Sequence, residues 1–145
     1  EKKYRVDDAV AATKAALDEG IVPGGGVTLV NLSKTLKETD PGVSIVKKAL
    51  KAPFTQIMEN AGLNSQALLD QVEKAKDGQG INVMTPEKGI IDMKKAGVVD
   101  PARVTREAVQ NSISIAATAI TMGALIVDVP DKDNTPAAGM DGGMY

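Results

Sequence analysis

Residues 5–27 read RVDDAVAATKAALDEGIVPGGGV, in which an alanine-rich helix hands over to three consecutive glycines and then to a second helix. Val6, Val10, Thr13 and Leu17 recur at the three-to-four spacing of one buried helical face, with Lys3, Asp7, Lys14 and Asp18 on the wet side. Asp8 falls on neither. It shares a stripe with Ala11, Ala12 and Ala15, so the pattern predicts a carboxylate on a strip of small residues that another part of the protein can approach closely. Gly20 ends the helix, because glycine takes the left-handed cap conformation without steric cost. Pro23 is expected to start a turn, and Gly24, Gly25 and Gly26 then leave backbone amides uncovered by side chains, where a flat or anionic ligand could rest.

Outward from that stretch, 145 residues make about one ordinary domain, enough to bury a core. The aromatics are only Tyr4, Phe54 and Tyr145, so Val, Ile, Leu, Ala and Met must fill the interior, a composition that favours packed helices. A net charge of −2, with both signs interspersed, offers no basic stripe for a phosphate backbone, and the scarcity of aromatics removes base-stacking platforms. Nucleic acid is therefore not an expected partner. Nor is a membrane, since no apolar run reaches the roughly 20 residues of a span and no signal peptide opens the chain. With no Cys and no His, any chemistry falls to carboxylates, Lys, hydroxyls and backbone amides. A start at Glu1 without Met predicts a piece of a longer polypeptide.

Along the chain, 27–36 reads as a short helix ending at the Asp40-Pro41-Gly42 turn. Helices follow on Val43, Val46, Ala49 and Leu50, on Phe54, Ile57 and Met58 after Pro53, and on Leu68, Leu69 and Val72 after an N-cap at Asn64 or Ser65. The run 81–84 predicts a small strand, and 85–99 an irregular segment with one helical turn near 90–94. Asp100 before Pro101 reads as an N-cap with proline in the first helical position. The helix it opens, 102–122, has an expected inner face of Val104, Ala108, Val109, Ile113, Ala116, Ala117 and Ile120. The β-branched run 124–129 predicts a strand that pairs outside the chain, and the polar, Gly-Met-rich 130–145 a disordered tail.

Three stretches together carry a specific resemblance. RVDDAVAATKAALDEGIVPGGGV, DPARVTREAVQNS at 100–112 and the Gly-Gly-Met tail, in this order and at these separations, resemble the last third of group I chaperonins, the bacterial GroEL type and its organelle relatives. The resemblance implies a mainly α, helical equatorial-domain fragment with one or two short strands. By it, 1–20 is the C-terminal helix of a hinge-like intermediate domain, 21–129 the C-terminal half of an equatorial ATPase domain, and 130–145 the tail.

The implied whole protein is an ATPase using ATP/ADP with Mg2+ and K+. It forms seven-membered rings stacked in pairs, works with a co-chaperonin of the GroES type, and folds non-native clients in the bacterial cytoplasm or an organelle matrix. Carried over by resemblance, Asp8 is the aspartate that orients the attacking water, and Gly24 and Gly25 let base and ribose lie against backbone. Asp100 accepts from the ribose hydroxyls, and Asn82, Val83, Met84 and Val98 surround the adenine. Val83 and Met84 stand where the family usually has two alanines, which narrows or shifts the base pocket. The family's phosphate-binding Asp-Gly-Thr-Thr-Thr loop is not in this sequence, so the fragment alone is expected to be inactive. Read without the resemblance, Asp8 is a surface carboxylate, the glycines a turn, Asp100 a helix cap and Asn82 a strand-end residue. The competing readings are then a non-catalytic helical scaffold or a stand-alone nucleotide binder.

Overall fold

The structure, a computed structural model, describes residues 1–128. Val129 and the expected tail at 130–145 lie outside the described residues. Helices dominate, as the composition predicts: α1 (Lys2–Glu19), α2 (Val27–Thr35), α3 (Pro41–Ala49), α4 (Ala52–Asn60), α5 (Ser65–Lys74) and α6 (Ala102–Ile120). Two antiparallel ribbons join them: β1 (Ile21–Pro23) with β4 (Val99–Pro101), and β2 (Gln79–Ile81) with β3 (Ile90–Asp92).

The helix starts follow local chemistry. Asp40 Oδ1 accepts from the Val43 N–H at 3.1 Å and Pro41 occupies the first turn of α3, while Asn64 caps α5 by accepting from the Ala67 N–H at 3.2 Å. Val27, Val30, Phe54, Met58, Leu69, Val72, Ile81 and Met93 form one buried cluster in which α2, α4 and α5 meet the second ribbon. Phe54, the one phenylalanine, lies at its centre with no exposed surface.

Several expectations are corrected. The face of α1 formed by Val6, Val10, Thr13 and Leu17 is exposed; the packed strip is Ala12, Ala15 and Ala16, because α6 and β4 settle on the side where small side chains admit close approach. Pro23 ends a strand instead of starting a turn, and Asp100 lies within β4 instead of capping α6. Pro101 is the N-cap of α6, with extended backbone and no side-chain cap, since a proline at the end of a two-stranded ribbon loses no ladder hydrogen bond. The expected strand 81–84 sits earlier, at β2, and the helical turn near 90–94 is replaced by the single 3-10 turn Pro86–Lys88 and by β3. Residues 124–128 are irregular and exposed rather than a strand, because no strand among the described residues lies beside them.

The apolar face of α6 points where the periodicity places it but does not close. Ala108, Val109, Ile113, Ala116 and Ile120 look across an apolar groove of about 420 Å3 toward Ile45, Val46 and Ala49 of α3. Ile113 stays 49 % and Ile120 84 % exposed, so what was expected as an inner face is solvent-facing in the described residues.

Candidate functional site

Where α1 ends, the chain reverses through β1 into the glycine turn, and β4 lies alongside. Val22 stands opposite Asp100 and Pro23 opposite Val99. The ladder continues past the strand into the turn, where the Gly24 N–H donates to the Val98 carbonyl at 2.9 Å. Gly24 is buried, and a Cβ there would lie 3.1 Å from the Val99 backbone and 3.2 Å from that of Val98. A side chain there would have to push that backbone back by a few tenths of an ångström.

Gly26 has a second reason for its identity. It is the N-cap of α2 with φ 77°, and a Cβ would fall 2.8 Å from the Phe54 backbone. The Thr28 hydroxyl donates to the Pro23 carbonyl at 2.6 Å and closes the turn from inside.

Asp100 is half-buried beside this turn. Burial alone pushes its carboxyl above the ordinary aspartate value, and among the described residues no cation or donor offsets that cost. A carboxylate desolvated without a partner is poised to accept hydrogen bonds from a ligand. Val98, next to it, is half-buried against the core cluster.

The Asn82 segment comes next to this site through β2. Asn82 Oδ1 accepts from the Met84 N–H at 3.0 Å and its carbonyl from the Thr85 N–H at 3.0 Å, so Asn82 builds its own turn while its side-chain amide N–H groups have no partner among the described residues. Val83 packs half-buried on the core, whereas Met84 projects with 82 % of its surface exposed.

Asp8 is placed elsewhere. It is exposed on α1, twelve residues before Gly20, which puts it roughly 18 Å along the helix axis from the end of α1. The structure thus gathers Gly24, Gly25, Val98 and Asp100, ties Asn82 and Val83 to them through the core, and leaves Asp8 apart.

The junction between α1 and this site is held by exposed groups. Arg106 grips Glu19 with two hydrogen bonds of 2.7 and 3.2 Å, and Arg103 lies 3.6 Å from Asp18. The Arg106 hydrogen bond, reinforced by its charge and that of Arg103, holds the Glu19 carboxyl below its ordinary value. At Gly20 the backbone turns with φ 82° and ψ −167°, a combination essentially restricted to glycine, and no atom lies within 4 Å of where a Cβ would be.

Sequence reasoning misses the β1–β4 ribbon, although the Val98-Val99 pair before Asp-Pro is its signal. It also misses a cleft lined by Pro23, Asp77, Gly78, Asp92, Lys94 and Lys95, and the buried Met93, which no periodicity marks. Among the described residues, no group of three or more acidic side chains is placed to hold a metal ion, and no helix is long and apolar enough to cross a membrane.

Residues 1–130 match the model of the TCP-1/cpn60 chaperonin family. The fold is similar to that in a crystal structure of a group III chaperonin in the open state, with a TM-score of 0.69 and 35 % identity over 77 % of this chain. The match covers 25 % of that protein, so the chain spans about a quarter of its length. A family match along nearly all of the sequence and a shared helical fold at this identity lead to one conclusion: the chain belongs to the TCP-1/cpn60 chaperonin family.

Proposed function

We propose that this chain forms the base and ribose side of the nucleotide site in an ATP-driven chaperonin of the group I type, a ring-forming ATPase that folds non-native proteins. The observation that carries the reading is the meeting of a bare glycine backbone with a half-buried, unpartnered carboxylate: Gly24 against Val98 and Val99, Asp100 across from Val22. The fit to a nucleoside is chemical: a ribose offers two hydroxyl donors to a carboxylate that has none. In this reading Asn82, Val83, Met84 and Val98 border the base, and the protruding Met84 narrows its entrance.

Asp8 acts by moving. It stands roughly 18 Å from Gly20 along α1, and the features at the base of that helix suit a swing toward the terminal phosphate. Gly20 has open space around it, the contact with α6 is a strip of alanines, and the ion pairs at Asp18 and Glu19 are solvent-exposed and therefore weak. Once delivered, a carboxylate orients the attacking water, and hydrolysis depends on that positioning together with charge stabilisation from residues elsewhere in the subunit. Bound ATP brings Mg2+ and its phosphates, and K+ completes the requirement. None of the steps assigned to this chain needs a metal ligand from its own residues.

The proposal extends to the whole subunit. Residues 1–20 belong to a mobile intermediate domain and 21–129 to an equatorial domain. The intact protein forms stacked seven-membered rings in the bacterial cytoplasm or an organelle matrix, with a co-chaperonin and non-native clients as partners. In a full-length subunit carrying these residues, Asp8→Ala retains ATP binding and slows hydrolysis at least about a hundredfold. Unchanged turnover removes the mechanism. The reading as a non-catalytic scaffold draws on the open apolar face of α6, and it predicts a full-length protein that assembles but hydrolyses no ATP.

A further inference from the structure

We infer that Met93 is a positioning residue for this site: its buried thioether sets the spacing between the glycine turn and the strand that leads into Asn82. The inference rests on the nucleotide reading above. Met93 has no exposed surface. A Cβ at Gly25 would lie 3.2 Å from Met93 Cε, and a Cβ at Gly80 would lie 3.3 Å from both its Cγ and its Sδ, with Val27 Cγ2 nearer still. The side chain is therefore threaded between two backbones that are both bare. An unbranched, flexible thioether fits such a slot, where a branched carbon would press on one wall.

The peptide groups of the same residue hold the remaining wall. The Met93 carbonyl accepts from the Val98 N–H at 2.9 Å, and its own N–H donates to the Gly78 carbonyl at 3.0 Å. Val98 in turn receives the Gly24 N–H, so the turn, the approach to Asn82 and the approach to Asp100 all meet at one residue. Met58 supplies a matched contrast. It is equally buried in the same cluster but sits on α4, and only Met93 and Val98 come within 4 Å of a Cβ at Gly25.

The test measures steady-state ATP hydrolysis and thermal unfolding of the full-length subunit. Met93→Ala is expected to raise the half-saturating ATP concentration at least about tenfold while turnover at saturation stays within about twofold, the signature of lost binding geometry. Met58→Ala should lower the unfolding temperature but leave half-saturation within about twofold. Where Met93→Ala does not fold, Met93→Leu takes its place. It keeps the volume but branches at the Cγ that faces Gly80, and a rise of about threefold is expected. The assignment is overturned if half-saturation does not move in the Met93 variant that folds, or if Met58→Ala moves it as far. Asp100→Ala separates the two readings. Unchanged half-saturation in that variant brings down the nucleotide reading and this assignment with it, whereas a raised half-saturation in Asp100→Ala beside an unaffected Met93 variant brings down this assignment alone.

Discussion

The region around the glycine turn and the region of the two long helices are built on opposite terms. Around the turn, Val27, Phe54, Met58, Ile81 and Met93 are fully or almost fully enclosed, and backbones approach until only glycine fits. Along α1 and α6, by contrast, Val6, Leu17, Ile115 and Ile120 stand in solvent, and the contact between the helices is a strip of alanines with two exposed arginine pairs. The first region is over-determined by its own residues, as the proposed binding surface would need to be. The second is held by little, which suits the movement proposed for α1.

The contrast breaks most visibly under truncation. Phe54→Ala should destabilise the chain by about 3 to 5 kcal/mol in chemical denaturation, the usual cost of emptying a closed core of a phenylalanine. Ile120→Ser should cost less than about 0.5 kcal/mol in the same chain. Equal costs would mean that the two regions do not differ as described. Repeating Ile120→Ser in an intact chaperonin subunit sharpens the point, since a several-fold larger cost there would show that the face is covered in the whole protein.

A smaller effect is expected at Gly26→Ala, about 1 to 3 kcal/mol, because an alanine must both adopt φ 77° and press on the Phe54 backbone. The corresponding change at Gly123, where nothing lies within 4 Å, should be close to neutral in the same denaturation experiment.

The smallest effects are in acid, and there the regions differ in sign. Burial raises the Asp100 carboxyl, so the folded chain holds that proton more tightly than the unfolded one; its contribution is complete below the ordinary aspartate value and is lost as pH rises through the raised one. Glu19 is lowered by Arg106, so its contribution is present above the ordinary glutamate value and is lost as pH falls through the lowered one. Denaturation followed across the acid range should therefore show Asp100→Asn removing a component that falls with pH and Glu19→Gln one that rises. Both substitutions shifting the profile in the same direction would contradict the electrostatics described here.

How much of this could be read from the sequence depended on what each residue answers to. Asn64 caps α5 through a bond to an amide three residues on, so its role is local and legible, whereas Asp40, read only as part of a turn, caps α3 by an equally local bond. The glycine run was legible as bare backbone, but not its partner, since the approach of Val98 and Val99 across some seventy intervening residues leaves no local trace. The same long-range pairing drew Asp100 out of the cap position that its neighbour Pro101 advertises and into β4. On α1 the larger apolar residues misled because periodicity reports which faces are apolar and not which one α6 will choose; the alanines won because they let it come closer. Met93 was invisible for a different reason. Its role comes from the absence of side chains at Gly25 and Gly80, which are distant in sequence and adjacent only in the fold. Asp8, Asn82 and Asp100 owe their proposed roles to family resemblance, and the fold adds only that the Asp100 carboxyl is half-buried with no partner among the described residues.

That carboxylate offers the most direct measurement. Equilibrium binding to the full-length subunit should be compared for ATP and for an analogue lacking both ribose hydroxyls, in the native sequence and in Asp100→Ala. The account predicts that the native protein prefers ATP by at least about tenfold, the worth of a hydrogen bond to a charged group, and that Asp100→Ala binds the two alike at the weaker level. If Asp100→Ala binds ATP as tightly as the native protein and keeps its preference, then Asp100 and the turn beside it are not the ribose side of a nucleotide site.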